Sequence, residues 1–139
     1  MSEEGDFDFG DNVDRATFEQ ILDMDEEDAR EFSKSIVFGF LEQAEQTFVK
    51  MDAAMEEKNL EELSSLGHFL KGSSATLGFT KVKDECEKIQ HYGHKKNETG
   101  ESDEPDEEKC LRLIGESIKE AKQAYEVVSN LMNRFYAET

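Results

Sequence analysis

Near the middle of the chain, the run Ser64-Ser65-Leu66-Gly67-His68-Phe69-Leu70-Lys71-Gly72-Ser73-Ser74-Ala75-Thr76-Leu77-Gly78 sets one histidine among small residues, with a lysine three positions on. In a helix successive side chains step by about 100°. With Leu63 at zero, Leu66, Leu70 and Leu77 then fall within about 60° of it, while His68 lies at about 140°. The leucines face a core and the imidazole faces solvent. On the outer face Ser64 and Ser65 stand one turn before His68, Lys71 and Gly72 one turn after, and Ala75 two turns after. Exposed helix interiors are ordinarily filled with Glu, Lys, Gln or Arg, and Gly there costs about 1 kcal/mol relative to Ala. Backbone left bare around one imidazole suits the close approach of another protein.

The chemistry that fits is phosphoryl transfer, which needs a nucleophile held in line and positive charge near the equatorial oxygens. Neutral imidazole is such a nucleophile near pH 7. Lys71, at i+3, is placed to reach a phosphoryl group on the ring, and Ser73 can add a hydrogen bond from the adjacent edge. The sequence contains no G-x-x-x-x-G-K-[ST] loop and no kinase glycine-rich loop. The phosphoryl donor and its metal are therefore expected to come from a partner.

Other residue groupings carry less. Cys86, His91 and His94 have a loose zinc spacing, but on a helix Cys86 lies within about 40° of the apolar Val82 and His91 about 180° away, so no metal site is expected. Asp6, Asp8 and Gly10 imitate a calcium loop with its glycine one place early and Thr17 where a glutamate belongs. Asn97-Glu98-Thr99 fits a glycosylation acceptor, but the acidic N-terminus does not read as a secretory signal, so glycosylation is not expected.

The elements that must position His68 are helical throughout. Residues 1–12 hold acidic charges and two isolated phenylalanines and are expected to be a disordered lead-in. A short helix follows from about Asp14 to Met24, with Phe18, Ile21 and Leu22 apolar and Asp14 as cap. Asp25-Glu26-Glu27-Asp28 then supplies negative charge to the first turn of a long helix. In that helix Val37, Leu41, Ala44, Phe48, Met51 and Met55 form one apolar row and Phe32, Ile36 and Phe40 a second. Asn59 with Glu62 caps the His68 helix, which Gly78 ends. A further helix runs from about Thr80 to His94, with Val82, Cys86, Ile89 and Gly93 on one side. The acidic stretch at about 97–108 reads as a solvated loop. In the last helix Leu111, Ile114, Ile118, Ala121, Tyr125, Val128, Met132 and Phe135 repeat at steps of 3 and 4. The expected fold is all-α: an up-down-up-down four-helix bundle with an additional short N-terminal helix, one domain over 13–139. Thr17, Ile21, Met24 and Phe32 border the open side of the His68 helix and, with Ser64, Ser65 and Ala75, are the candidate docking contacts.

With 16 Lys and Arg against 34 Asp and Glu, the chain carries a formal charge of -18. Such a balance argues against nucleic acid and against an anionic membrane surface, and favours a partner with basic patches. No stretch of 18 apolar residues interrupts it. The expectation is a soluble intracellular protein in which Cys86 and Cys110 are reduced thiols.

The stretch from His68 to Gly78 resembles the H-x-x-K-G-[SA]-[SA]-x-x-x-G signature of histidine-containing phosphotransfer domains. The wider run LGHFLKGSSATLGF, with CEKIQ after it and MDEED before FSKSI, is similar to fungal phosphorelay intermediates. The resemblance covers about residues 15–96, and the last helix only by pattern. It implies that His68 is the phosphorylated residue, that Lys71 and Gly72 support it, and that Gln90 orients the imidazole. It implies as partners the receiver domains of a hybrid histidine kinase and of response regulators, in a stress-signalling phosphorelay of the cytoplasm and nucleus. The protein would act as a monomer with no cofactor of its own, magnesium being bound only by the partner receiver domain. The alternative is a non-catalytic helical adaptor in which His68 never carries phosphate. A hydrolase using His68 as general base lacks a nucleophile and a cleft.

Overall fold

A computed structural model describes residues 8–26 and 30–137. The helices are α1 (Arg15–Leu22), α2 (Glu31–Glu56), α3 (Leu60–Leu77), α4 (Thr80–Gly93) and α5 (Glu107–Ala137), preceded by a single 3-10 turn at Gly10–Asn12. Helices α2 to α5 form the four-helix bundle, α3 lying between α2 and α4, and α5 closing the ring against α4 and α2. The short α1 packs on α3. The apolar rows read from the sequence meet in one core: Val37, Leu41, Ala44, Phe48 and Met51 of α2, Leu63, Leu70 and Leu77 of α3, Val82, Cys86 and Ile89 of α4, and Ile114, Val128 and Met132 of α5 are all buried. Among the described residues no helix is long and apolar enough to cross a membrane.

Local chemistry sets the boundaries of α3. The Asn59 side chain accepts the Glu62 N–H at 3.0 Å, as its capping role requires. At the other end Gly78 takes φ 81°, a left-handed conformation that favours glycine, and its carbonyl accepts the Asp14 N–H at 2.6 Å. A Cβ on Gly78 would also stand 2.8 Å from the Asp14 carbonyl oxygen. The start of α1 is thus pinned to the end of the helix that carries His68. Asp14 flanks α1, yet its carboxylate accepts the Thr17 hydroxyl rather than a backbone N–H.

One expectation changes here. A disordered lead-in is expected through about residue 12, but Phe9 is buried, its ring 5.3 Å from those of both Phe18 and Phe135. Fully burying such a side chain contributes roughly 1.5–3 kcal/mol, enough to order the few residues around it. Residues 1–7, which hold the rest of that expectation and Asp6 of the imitation calcium loop, lie outside the described residues, as do Glu27 and Asp28. The acidic stretch is the solvated loop expected, giving way to α5 at Glu107, and it is internally bonded. The Asn97 side chain accepts the Thr99 hydroxyl and the N–H groups of Glu101 and Ser102, Lys96 pairs with Asp103, and Glu104 N–H donates to the Lys95 carbonyl. His91 Nδ1 lies 2.8 Å from the Glu98 carbonyl oxygen and so belongs to this loop.

At the start of α2, the Asp25 carboxylate accepts both the N–H and the hydroxyl of Ser33, at 2.7 and 2.6 Å. Of the acidic run, Asp25 therefore acts through a specific contact with the first turn of α2. The Ser33 hydroxyl in turn accepts from Tyr136 at 2.8 Å, tying this turn to the far end of α5.

Candidate functional site

His68 is exposed on α3, and the reason the helix holds it steadily lies on the opposite side of the backbone. Gly67 is buried: a Cβ there would meet the Cys86 carbonyl oxygen at 2.8 Å and the Gln90 nitrogen at 3.0 Å. One turn earlier, Gly93 of α4 lies so close to α3 that a Cβ would meet the Leu60 carbonyl oxygen and Ser64 Cβ, both at 2.7 Å. The Ser64 hydroxyl donates to the Gln90 carbonyl at 3.0 Å. Small residues on both helices thus let α3 and α4 approach at backbone distance. The two helices brace the turn that presents His68.

This packing divides the small residues of the motif into two groups. Ser64 was assigned to the docking face, but it is 2% exposed and belongs to the α3–α4 interface. The physical reason is that α4 covers one flank of α3, so the buried sector extends beyond the leucine stripe. Ser65, Gly72 and Ala75 are exposed as expected, and nothing lies within 4 Å of a Cβ built on Gly72. Gly67, in contact with α4, was not singled out from the sequence. Its signal was a second glycine beside the histidine, with Gly93 to match it one helix later.

The polar residues around His68 sit where their neighbours hold them. Lys71 is half-buried at the α3–α4 edge, its Nζ 3.5 Å from Glu87 Oε2. Ser73 donates its hydroxyl to the Phe69 carbonyl of its own helix at 3.3 Å. Gln90 is half-buried on α4 with its side-chain Oε1 buried and accepting no hydrogen bond. Its backbone, by contrast, is bound to Ser64 and packed on Gly67. An amide with a free acceptor beside the His68 turn can bond an imidazole N–H.

The apolar candidates separate likewise. Met24 and Phe32 are exposed at 58% and 45% and line a hollow of about 480 Å³ with Glu26 and Glu31. Ile21 is corrected: its side chain is buried in the core, because α1 rests on α3 through this residue with Phe18 and Leu22. Thr17 is half-buried and turned to Asp14. Further exposed apolar side chains include Ile36 of the second apolar row on α2 and Phe69, the residue after His68. An exposed phenylalanine on the histidine helix was legible from its angle, about 100° beyond His68.

Helical bundle and site together define a class: a four-helix bundle that presents a solvent-facing imidazole, His68, on a bare helix face with a lysine one turn on. The chain belongs to the Hpt domain family, whose model matches residues 36–126. It is 46% identical over 124 residues to Multistep phosphorelay regulator 1 of Schizosaccharomyces pombe, covering 89% of this chain and 42% of that protein. It is 58% identical over 85 residues to Phosphorelay intermediate protein YPD1 of Candida albicans, covering 61% of this chain and 46% of that one. The chain thus spans less than half the length of these relatives. Among solved structures, Ypd1 of Saccharomyces cerevisiae, crystallised with the receiver domain of its downstream response regulator Ssk1, superimposes with a TM-score of 0.79 at 31% identity, covering 91% of this chain and 95% of that one.

Proposed function

We propose that this protein is a phosphorelay intermediate that accepts a phosphoryl group on His68 from the receiver-domain aspartate of a hybrid histidine kinase and passes it to the aspartate of a response regulator. The observation that carries this is the two-sided use of small residues on α3. Gly67 and Ser64 lock the helix to α4 from within, while Gly72 leaves the surface open outside, beside an exposed histidine. A rigid nucleophile on a bare face suits attack on a phosphate held in another protein.

In the forward step the lone pair of a His68 ring nitrogen attacks phosphorus, the N–P bond forms, and the P–O bond to the receiver carboxylate breaks. The carboxylate leaves with the bonding pair, and the proton on the second ring nitrogen stays, so the phosphorylated ring is an imidazolium. The second transfer reverses these bonds on another aspartate. Lys71 offsets charge on the phosphoryl oxygens, and Gln90 orients the ring. Ser73 gives up its bond to Phe69 to reach the phosphoryl group. The receiver brings the magnesium, and Met24, Phe32, Ser65, Ala75 and the flank of Thr17 form the docking ground. Relatives named as phosphorelay proteins support this reading. The relay is proposed to run in the cytoplasm and nucleus.

Incubation with a phosphorylated receiver domain tests the proposal. The expected product is an acid-labile, base-stable phosphoprotein, absent in His68→Gln, which should retain the wild-type helical circular dichroism. Labelling of His91 or His94 instead would refute the assignment of His68. Receiver binding without labelling would establish the adaptor reading.

A further inference from the structure

We infer that Glu87 is a positioning residue for phosphotransfer: it parks the Lys71 ammonium at the α3–α4 edge and, by competing for it, limits the stability of phosphohistidine at His68. The inference rests on the proposed phosphotransfer at His68 and concerns how firmly the product is held.

Lys71 lies about 60° around α3 from His68, toward α4, at the i+3 spacing that brings side chains together on one helix. Its ammonium stands 3.5 Å from the Glu87 carboxylate across the helix boundary. Neither partner is deeply buried, the side chains being 28% and 44% exposed for Lys71 and Glu87. Such a pair is weak and readily exchanged. Its long, flexible stem lets the ammonium swing from one anion to the other while its root stays packed.

A phosphoryl group brings a charge of about -1.5 to -2 and three strong acceptors against the single charge of a carboxylate, so the phosphorylated state draws Lys71 away from Glu87. Breaking the Lys71–Glu87 pair is then part of forming the phosphorylated state. In an intermediate that must hand its phosphate on, this cost works against an over-stable product. The resting ion pair also keeps Lys71 at the site edge, clear of the in-line path to the ring.

The magnitude follows from the exposure. A solvent-exposed pair contributes an amount corresponding to about a 2- to 5-fold change in an equilibrium. Glu87→Gln should therefore lengthen the phosphohistidine lifetime about 2- to 5-fold and shift the exchange with a receiver toward phosphorylated His68 by a similar factor. The half-exposed position should leave the thermal midpoint nearly unchanged.

The test phosphorylates wild type, Glu87→Gln, Lys71→Ala and the double variant with phosphoramidate and follows decay of the phosphohistidine signal by phosphorus NMR. The expected result is a longer lifetime in Glu87→Gln and no effect of the same substitution in the Lys71→Ala background, since the carboxylate acts through the lysine. An equal lengthening in both backgrounds would mean direct repulsion of the phosphoryl group and would overturn the role through Lys71. An unchanged or shortened lifetime in Glu87→Gln would overturn the competition itself. Failure of wild type to become labelled on His68 under these conditions and by a phosphorylated receiver would instead strike the phosphotransfer reading.

Discussion

Gly67 and Cys86 meet at the backbone: the position a Cβ would take on Gly67 is 2.8 Å from the Cys86 carbonyl oxygen, closer than side-chain carbons approach carbonyls. The neighbouring atoms belong to helix backbone and cannot turn aside. Gly67→Ala should destabilise the protein by roughly 1–3 kcal/mol as α3 and α4 are forced apart. Gly72→Ala should have the opposite sign, stabilising by about 0.5–1 kcal/mol, because its Cβ enters open space and glycine is a poor helix former. Urea unfolding of the two variants checks both signs. Gly72→Gln carries the contrast to function: a more stable free protein that binds a receiver domain more weakly. Unchanged receiver affinity would show that the bare patch lies outside the docking surface.

Lys71→Ala removes the cation beside His68. An exposed contact to phosphate is a charge-assisted hydrogen bond of roughly 0.5–2 kcal/mol, so transfer should slow or the phosphohistidine lifetime shorten by about 2- to 30-fold, with His68 still labelled. Rapid-quench kinetics at two salt concentrations measures it. The defect should narrow at high salt, where wild type itself loses the benefit of the charge. A wild-type rate and lifetime in the variant would remove Lys71 from the mechanism.

Tyr136→Phe deletes one hydroxyl that donates to the fully buried Ser33, whose own hydroxyl donates to Asp25. The expected loss is about 0.5–1.5 kcal/mol. Because Met24 and Phe32 flank this turn, receiver affinity should fall as well, although Tyr136 itself is buried. Denaturation and binding titrations together distinguish this from a purely local effect. Full receiver affinity in a destabilised variant would show that the turn does not organise the docking residues.

Alkaline pH should weaken the fold through Cys86. Burial, aided by the charge of Glu85, pushes its thiol up from 9.0 to about 12. A group whose pKa is raised on folding stabilises the protein below its unfolded pKa, and the contribution is lost as pH rises. The unfolded chain gives up this proton first, so stability should decline from about pH 9 toward 12. Burial pushes the Tyr125 hydroxyl, which donates to the Leu41 carbonyl, up to about 12 as well, adding a similar decline above about pH 10. Urea midpoints across this range should fall more steeply in wild type than in Cys86→Ala. Parallel curves would show that the thiol is not the titrating group.

Helix number, helix order and the outward aim of His68 are consequences of local periodicity, and periodicity is written along the chain. The leucine stripe of α3 needs no knowledge of its neighbours to place His68 on the other side. The Asn59 cap and the left-handed Gly78 are equally local, since each acts within a turn of its own position.

What periodicity cannot state is which helix stands against each flank. Ser64 and Gly72 are both small residues within one turn of His68, yet one is closed against α4 and the other faces open solvent. Only the position of α4 separates the packing role from the accessible one, and likewise only the seat of α1 on α3 buries Ile21 while Met24 stays exposed. The Lys71–Glu87 pair joins residues 16 positions apart, and the Asp25–Ser33–Tyr136 chain joins a local contact 8 positions apart to one 103 positions apart, between Ser33 and Tyr136. The sequence by itself determined the helices and the nucleophile they present. The tertiary structure decided which small residues are interface and which are surface, because that depends on the approach of separate helices and not on the order of residues within one.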